Sequence, residues 1–425
     1  MSRLIIQGGH PVSGTFTPLG NKNAALPMLA ATVLTDQPVE LRNVPQIDDV
    51  LVMLELLADL GVSVAVDGHT VTLCAQGLRG TRLNRDLCRR VRGSILFAGP
   101  LTARHGGATL YPPGGDVIGR RRVDTHFDGL RQLGVQVRVD QAYRLKRHRF
   151  AGAEILLDEA SVTGTGNIMM AATLAPGRTT IYNAACEPHI QDLGLLLNKM
   201  GARIRGLGTN RIEIDGVESL SGARHDVQPD HIEWGSFAAA AAVTGGRLKI
   251  RSKVDPLTAH IIGRAFERIG VPWKRNAASI QVRGDAPFAV RSDLGLAIPK
   301  IEDGPWPAFP SDMMSVAIVV ATQAEGSILF FEKMFESRMH FVDQLISMGA
   351  RIVPCDPHRV VVTGPAGLHG TSMATPDIRA GMALIIAALC AKGESVIERA
   401  EIVDRGYESI DKRLRALGAV IEREQ

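Results

Sequence analysis

One carboxylate in this 425-residue chain has an unusual setting. Asp116 stands at the tip of YPPGGDVIGRRRVDTH (residues 111–126), a turn with two prolines and two glycines, followed at once by Arg120, Arg121 and Arg122. An acid set among cations suits a site that handles anions; a solvated surface loop is the plain alternative. Other polar residues stand directly before Ala-rich apolar runs. They are Lys22 and Asn23 in LGNKNAALP, Arg92 in RRVRGSI, the stretch SVTGTGN, Ser311 and Asp312 in PAFPSDMM, and Asp377 and Arg379 in TPDIRAGM. Asp and Ser before a helix are ordinary N-caps, because their oxygens accept from free backbone N–H groups. Lys and Arg are not, because the helix dipole is already positive at that end. Several such cations in phase point to a ligand that supplies the negative charge. Helix starts bind phosphate and carboxylate, and guanidinium groups pair with both. Lys22, Arg92, Arg121, Arg379 and Arg405 are therefore candidates for holding a polyanion in a cleft.

The elements that must position these residues form a repeat. A hydrophobic residue, Gly and then Val or Ala recur at Gly61, Gly134, Gly201, Gly270, Gly349 and Gly418, about every 70 residues. Each glycine follows an amphipathic stretch such as VLVMLELLADLG and precedes an alternating run, so it reads as a helix C-cap feeding a strand. In step with it runs an Ala-rich segment, a turn and a β-branched strand, as in GSFAAAAAVTGGRLKIRS. Helices apolar around most of their circumference are buried on all sides. Six such units divide as three plus three: two α/β domains with helices inside and sheets outside. A solenoid fits poorly, because its repeats usually run about 20–50 residues.

Bulk properties exclude several classes. The net charge is +4 and only 4% of residues are aromatic, so stacking platforms for nucleic acid are scarce. Five scattered cysteines without a C-x-x-C pair suggest reduced thiols rather than a disulfide frame or zinc site. The start MSRLIIQGGHPVSG lacks a signal-peptide core, and GMALIIAALCA is too short to span a bilayer. No Walker A motif, dinucleotide fingerprint or metal-ligand histidine spacing occurs. The expectation is a cytoplasmic protein with no cofactor, no metal, no nucleic-acid or membrane partner, and a monomeric or weakly oligomeric state.

The stretches GNKNAALP, PGGDVIGRRRVDTH, AACEPHIQD, PAFPSDM, FESRMHFVDQLISMGA, DIRAGMAL and VDRGYESIDKRLRALGA span nearly the whole chain. Together they resemble the UDP-N-acetylglucosamine 1-carboxyvinyltransferase family, enolpyruvyl transferases that begin peptidoglycan synthesis. EPSP synthase is a relative with the same fold but not these motifs. The resemblance implies an inside-out α/β barrel in two domains, residues 22–229, carrying the loop 112–122, and residues 1–21 plus 230–425. It implies transfer of the enolpyruvyl group of phosphoenolpyruvate to the 3-hydroxyl of UDP-N-acetylglucosamine, through a tetrahedral ketal, in the service of cell-wall growth, shape and division. By resemblance, Asp116 is the general acid and Asp312 activates the hydroxyl. Lys22, Asn23, Arg121, Arg379 and Arg405 meet phosphoenolpyruvate. Asn23, Arg92, Arg121, Arg122, Val123, Asp124, Thr125, Glu159, Ala160, Ser161, Val162, Asp312 and Met334 hold the UDP-sugar, and the loop is a lid. Like charges of the substrates would raise the pKa of Asp116, and the arginines oppose that.

Three residues depart from the family pattern. Asp116 replaces the usual loop cysteine, the nucleophile that fosfomycin alkylates, so fosfomycin resistance is expected. Asp48 replaces a common lysine and His231 a common arginine. Those two keep open another UDP-sugar or nucleotide as acceptor, and a non-catalytic regulatory paralogue is a further alternative.

Overall fold

The structure, a computed structural model, describes residues 2–116, 118–252, 255–276 and 278–424. Val117 in the loop singled out above, and the chain ends at residues 1 and 425, lie outside the described residues. Contacts divide the chain into an N-terminal unit, Gly20–Gly115 with Arg121–Gln228, and a C-terminal unit, Met1–Leu19 with Asp116–Arg120 and Pro229–Gln425. The loop segment Asp116–Arg120 thus groups with the C-terminal unit.

Among the described residues each unit holds three small sheets of one topology. In the N-terminal unit, Glu154–Leu156 runs parallel to Arg178–Tyr182; that strand is antiparallel to Arg211–Asp215, which is antiparallel to Arg203–Arg205. The same order recurs around Val39–Arg42 in that unit, and around Arg247–Arg251 and Gly326–Phe331 in the C-terminal unit. In the sheet built on Gly107–Leu110 the parallel edge shrinks to a bridge between Arg82 and Thr109. In the sixth repeat Arg3–Gln7 takes the third place in the sheet, between Glu394–Glu398 and Val420–Glu424. Gly14–Phe16 likewise forms the parallel edge beside Arg247–Arg251.

The Ala-rich segments form the inner helices. In the N-terminal unit these are Lys22–Ala31, Ala98–His105 and Val162–Ala172; in the C-terminal unit they are His231–Val243, Met314–Ala321 and Ile378–Cys390. Their small side chains let the helices of each unit approach closely and bury nearly every residue. A larger side chain at Ala239, which is fully buried, would overpack this core at about 1–3 kcal/mol. The amphipathic helices cover the outside of the inner ones. All six repeat glycines take a positive φ, between 85° and 103°, that side chains rarely adopt. Each is followed within a few residues by a strand, from Ser63–Asp67 to Val420–Glu424. Helices inside and sheets outside, three repeats per unit, is the inside-out α/β architecture that the repeats imply.

Candidate active site

In the C-terminal unit, the starts of two inner helices, a helix end, the turn at Arg338 and the loop acid bring six charged groups together. The turn Ser311–Met313 leads into Met314–Ala321 and presents Asp312. One Asp312 oxygen, Oδ1, lies 2.5 Å from Arg338 Nη2; the other, Oδ2, lies 2.9 Å from Arg379 Nη2 and accepts from its Nε at 3.1 Å. Burial opposes ionisation of Asp312, but Arg379 and Arg338 outweigh it and hold the carboxyl well below the usual carboxylate range. Arg379 opens the helix Ile378–Cys390, which Asp377 caps by accepting from the N–H groups of Arg379 and Ala380. The Arg379 guanidinium also stacks over the buried Tyr407 ring, 5.6 Å from its centroid. Arg405 follows the short helix Glu401–Asp404 and meets Asp116 at 2.5 Å. Burial raises the pKa of Asp377, and the nearby charge of Asp116 adds to the shift. Asp116, Arg405, Asp377, Arg338, Asp312 and Arg379 thus form one field of alternating charge.

The loop is held to the same unit past its acid. The Arg120 N–H donates to Glu336 Oε2 at 3.4 Å, and the Ser337 N–H donates to the Ile118 carbonyl at 3.3 Å. Gly119 sits at φ 127°, and a Cβ there would fall 2.2 Å from Glu336 Oε2. At the other end of the loop, a Cβ on Gly114 would fall 1.8 Å from the Arg89 carbonyl oxygen. The loop glycines therefore permit close approach.

The N-terminal unit holds the second group. Lys22 begins its inner helix behind the Asn21 cap, almost fully buried, with Asp49 Oδ2 at 2.7 Å. Asn23 is half-buried in the same first turn. Arg92 Nη2 donates to the carbonyls of Arg121 and Arg122, at 2.9 and 3.1 Å, and so fixes the chain leaving the loop. Burial, with Arg121 nearby, pushes the Arg92 guanidinium down to about 10. Arg122 pairs with Asp124 at 3.0 Å and Asp158 at 2.8 Å. Val123 precedes the helix Asp124–Gln132, and the Thr125 hydroxyl donates to Asp158 at 2.7 Å. Glu159 and Ala160 lead to Ser161, which caps the helix that begins at Val162 by accepting from the Gly164 N–H.

These placements correct one premise of the sequence reading. The candidate cations do not wait for a ligand: Asp49, Asp312 and Asp116 already face Lys22, Arg379 and Arg405. Ser311 is not a cap either; its hydroxyl donates to Glu332. Met334 is exposed, with its N–H bonded to Glu332. Asp48 is an exposed first-turn acid, while its neighbour Asp49 does the pairing. His231 is buried, which pushes it down to about 4, so it supplies no positive charge at neutral pH. Arg338, Asp49 and Asp158 were missed. No local pattern marks them, because each is defined by a partner distant in sequence. Among the described residues no cluster of metal-ligating side chains occurs, and no helix is long and apolar enough to cross a membrane.

A family model described as EPSP synthase (3-phosphoshikimate 1-carboxyvinyltransferase) matches residues 6–414. The chain belongs to the EPSP synthase family. Within it, the chain is 50% identical over 423 residues to the UDP-N-acetylglucosamine 1-carboxyvinyltransferase of Treponema denticola, covering 99% of each chain. It is 51% identical over 425 residues to the protein of that name from Treponema pallidum, covering all of both. Among solved structures, the enolpyruvyl transferase NikO of Streptomyces tendae superposes with a TM-score of 0.89 at 24% identity, covering 99% of this chain and 98% of that one. An EPSP synthase of Acinetobacter baumannii does so at 0.77 and 20% identity, over all of both chains. These structures share the family fold, and the relatives bear out the resemblance read from the motifs.

Proposed function

We propose that the chain transfers the enolpyruvyl group of phosphoenolpyruvate to the 3-hydroxyl of UDP-N-acetylglucosamine, releasing phosphate, as the first committed step of peptidoglycan synthesis in the cytoplasm. The observation that carries this reading is identity of about one half, end to end, with relatives named for that activity. The two charged groups support it chemically. The sugar oxygen attacks C2 of phosphoenolpyruvate as C3 takes a proton, giving a tetrahedral ketal. Loss of phosphate from C2 and of a proton from C3 then leaves the enolpyruvyl ether. Each step moves charge on phosphate and carboxylate oxygens, which fixed cations stabilise.

Asp312 is the acceptor for the hydroxyl proton. Arg338 and Arg379 keep it ionised and fixed in orientation, and Oδ1, which faces Arg338, has a further lone pair for the hydroxyl. Asp116 is the acid at C3. The substrate's phosphate or carboxylate takes over Arg405 and releases Asp116 from its ion pair. Lys22, Asn23, Arg121, Arg379 and Arg405 bind phosphoenolpyruvate. Asn23, Arg92, the run Arg121–Thr125, Glu159–Val162, Asp312 and Met334 bind the UDP-sugar, and loop 112–122 acts as the lid. The carboxylate at residue 116 is a poor nucleophile towards an epoxide, so the enzyme resists fosfomycin.

The test is phosphate release from phosphoenolpyruvate with UDP-N-acetylglucosamine, UDP-N-acetylgalactosamine, UDP-glucose, uridine or shikimate 3-phosphate as acceptor. Release with UDP-N-acetylglucosamine at a kcat/KM far above the others supports the reading. Preference for another acceptor, or no release with any, overturns it.

A further inference from the structure

A buried carboxyl pair lies behind Asp312. Glu332 is fully buried and Asp303 is 1% exposed. They follow two neighbouring parallel strands, Gly326–Phe331 and Lys300–Glu302, and the Asp303 N–H donates to the Phe331 carbonyl. Glu332 Oε1 is the crowded oxygen, with the Ser311 hydroxyl at 2.9 Å and the N–H groups of Met334 and Phe335 each at 3.2 Å. Oε2 takes the second arm of that hydroxyl, at 3.0 Å. Asp303 Oδ1 takes the Lys333 N–H at 2.5 Å. Asp303 Oδ2 is buried and meets no backbone or hydroxyl donor among the described residues. Asp303 and Glu332 directly follow the paired residues Glu302 and Phe331, which sets the two buried carboxyls at the same end of neighbouring parallel strands. Two buried carboxylates cannot bond without a proton between them. A proton on Glu332 would give the buried Asp303 Oδ2 a donor that it otherwise lacks among the described residues.

The surrounding charges leave room for it. Arg338 lies close enough to oppose protonation but is engaged by Asp312. The Lys333 ammonium turns to Glu302 at 3.1 Å. His358 Nδ1 meets the Glu332 main-chain oxygen at 2.7 Å, not its carboxyl. Burial, followed by the hydrogen bond and charge of Asp303, pushes Glu332 up to about 9.

We propose that Asp303 and Glu332 share one proton and together act as positioning residues for Asp312. The role given to Asp312 rests on the reaction proposed above. Glu332 holds Ser311, the neighbour of Asp312, and also caps the turn that carries Glu336, Ser337 and Arg338. One shared proton therefore braces the base, its Arg338 partner and the segment on which the Asp116 loop rests.

Glu332→Gln mimics the protonated acid permanently, because its amide N–H₂ donates to Asp303 and its oxygen keeps the other bonds. In ligand-free protein, the raised folded-state pKa makes wild-type stability fall as pH rises from the ordinary 4.5 to about 9. The melting temperature of Glu332→Gln should therefore gain on wild type by several degrees between pH 5 and 9, then run level. In turnover, Glu332→Gln should keep at least a third of wild-type kcat at pH 7.5. Ser311→Ala, which cuts the link to Asp312 but leaves the pair intact, should lower kcat about tenfold, change the KM for phosphoenolpyruvate little, and keep the wild-type pH dependence of melting. Parallel melting curves for wild type and Glu332→Gln would overturn the shared proton. Unchanged kcat in Ser311→Ala would overturn the positioning role. Melting is read without substrate, so it judges the proton even if no acceptor is turned over, and that failure would count against the reaction alone.

Discussion

Asp312→Asn tests the base most sharply, because the side chain keeps its shape and loses its charge. Both carboxylate oxygens face guanidinium groups at 2.5 and 2.9 Å, and the Arg338 and Arg379 side chains are only 9% and 7% exposed. Removing one partner of a buried ion pair costs about 3–5 kcal/mol. Asparagine still offers one acceptor oxygen, so the lower end, about 3 kcal/mol, is expected. A depressed carboxyl pKa contributes stability above the unfolded value and loses it as pH falls below that value. The gap between variant and wild type should therefore stay constant from pH 5 to 8 and close only in stronger acid. Loss of a positioned base lowers kcat by about 10²–10⁴. Urea denaturation at pH 5, 6.5 and 8 measures the gap, and steady-state phosphate release measures kcat. A variant within threefold of wild-type kcat, or a gap under about 1 kcal/mol, would refute the assignment of Asp312 as an ionised, arginine-held base.

Three further perturbations probe other parts of the site. Wild-type enzyme should show no time-dependent inactivation by fosfomycin, whereas Asp116→Cys should acquire it together with a covalent adduct visible by mass spectrometry. Lys22→Met strips the buried Asp49 of its ammonium partner; kcat/KM for phosphoenolpyruvate should fall at least a hundredfold, and unfolding should ease by about 3 kcal/mol. Gly114→Ala drives a Cβ into the Arg89 carbonyl, so turnover should drop at least tenfold while the melting temperature, set by the two cores, moves little.

The architecture was legible because its two periodic signals have separate physical causes. A left-handed residue must end each outer helix, which writes glycine at Gly61 and its five counterparts. Closely packed inner helices demand small side chains, which writes alanine into segments such as Ala238–Ala242. The site was legible only in part. Lys22, Arg379 and Asp312 announce themselves because charge at the start of a buried helix is anomalous. Their partners do not: Asp49 opens an amphipathic helix where an acid is ordinary, and Arg338 sits in a turn. Glu332 looks like any acid after a strand, and its burial against Asp303 depends on two strands meeting in register. The 3₁₀ start of the second inner segment, Arg92–Phe97, was also hidden; a Cβ on Gly93 there would crowd Leu26 and Met53, a constraint that only packing reveals.

Running the reaction in D₂O with phosphoenolpyruvate and UDP-N-acetylglucosamine interrogates the transfer and its route at once. The expected product is a UDP-sugar enolpyruvyl ether with deuterium at its vinyl carbon, because C3 becomes a methyl group in the ketal before losing a proton, and one phosphate per ether formed. A product carrying only protium at that carbon, or phosphate released without any ether, would contradict it.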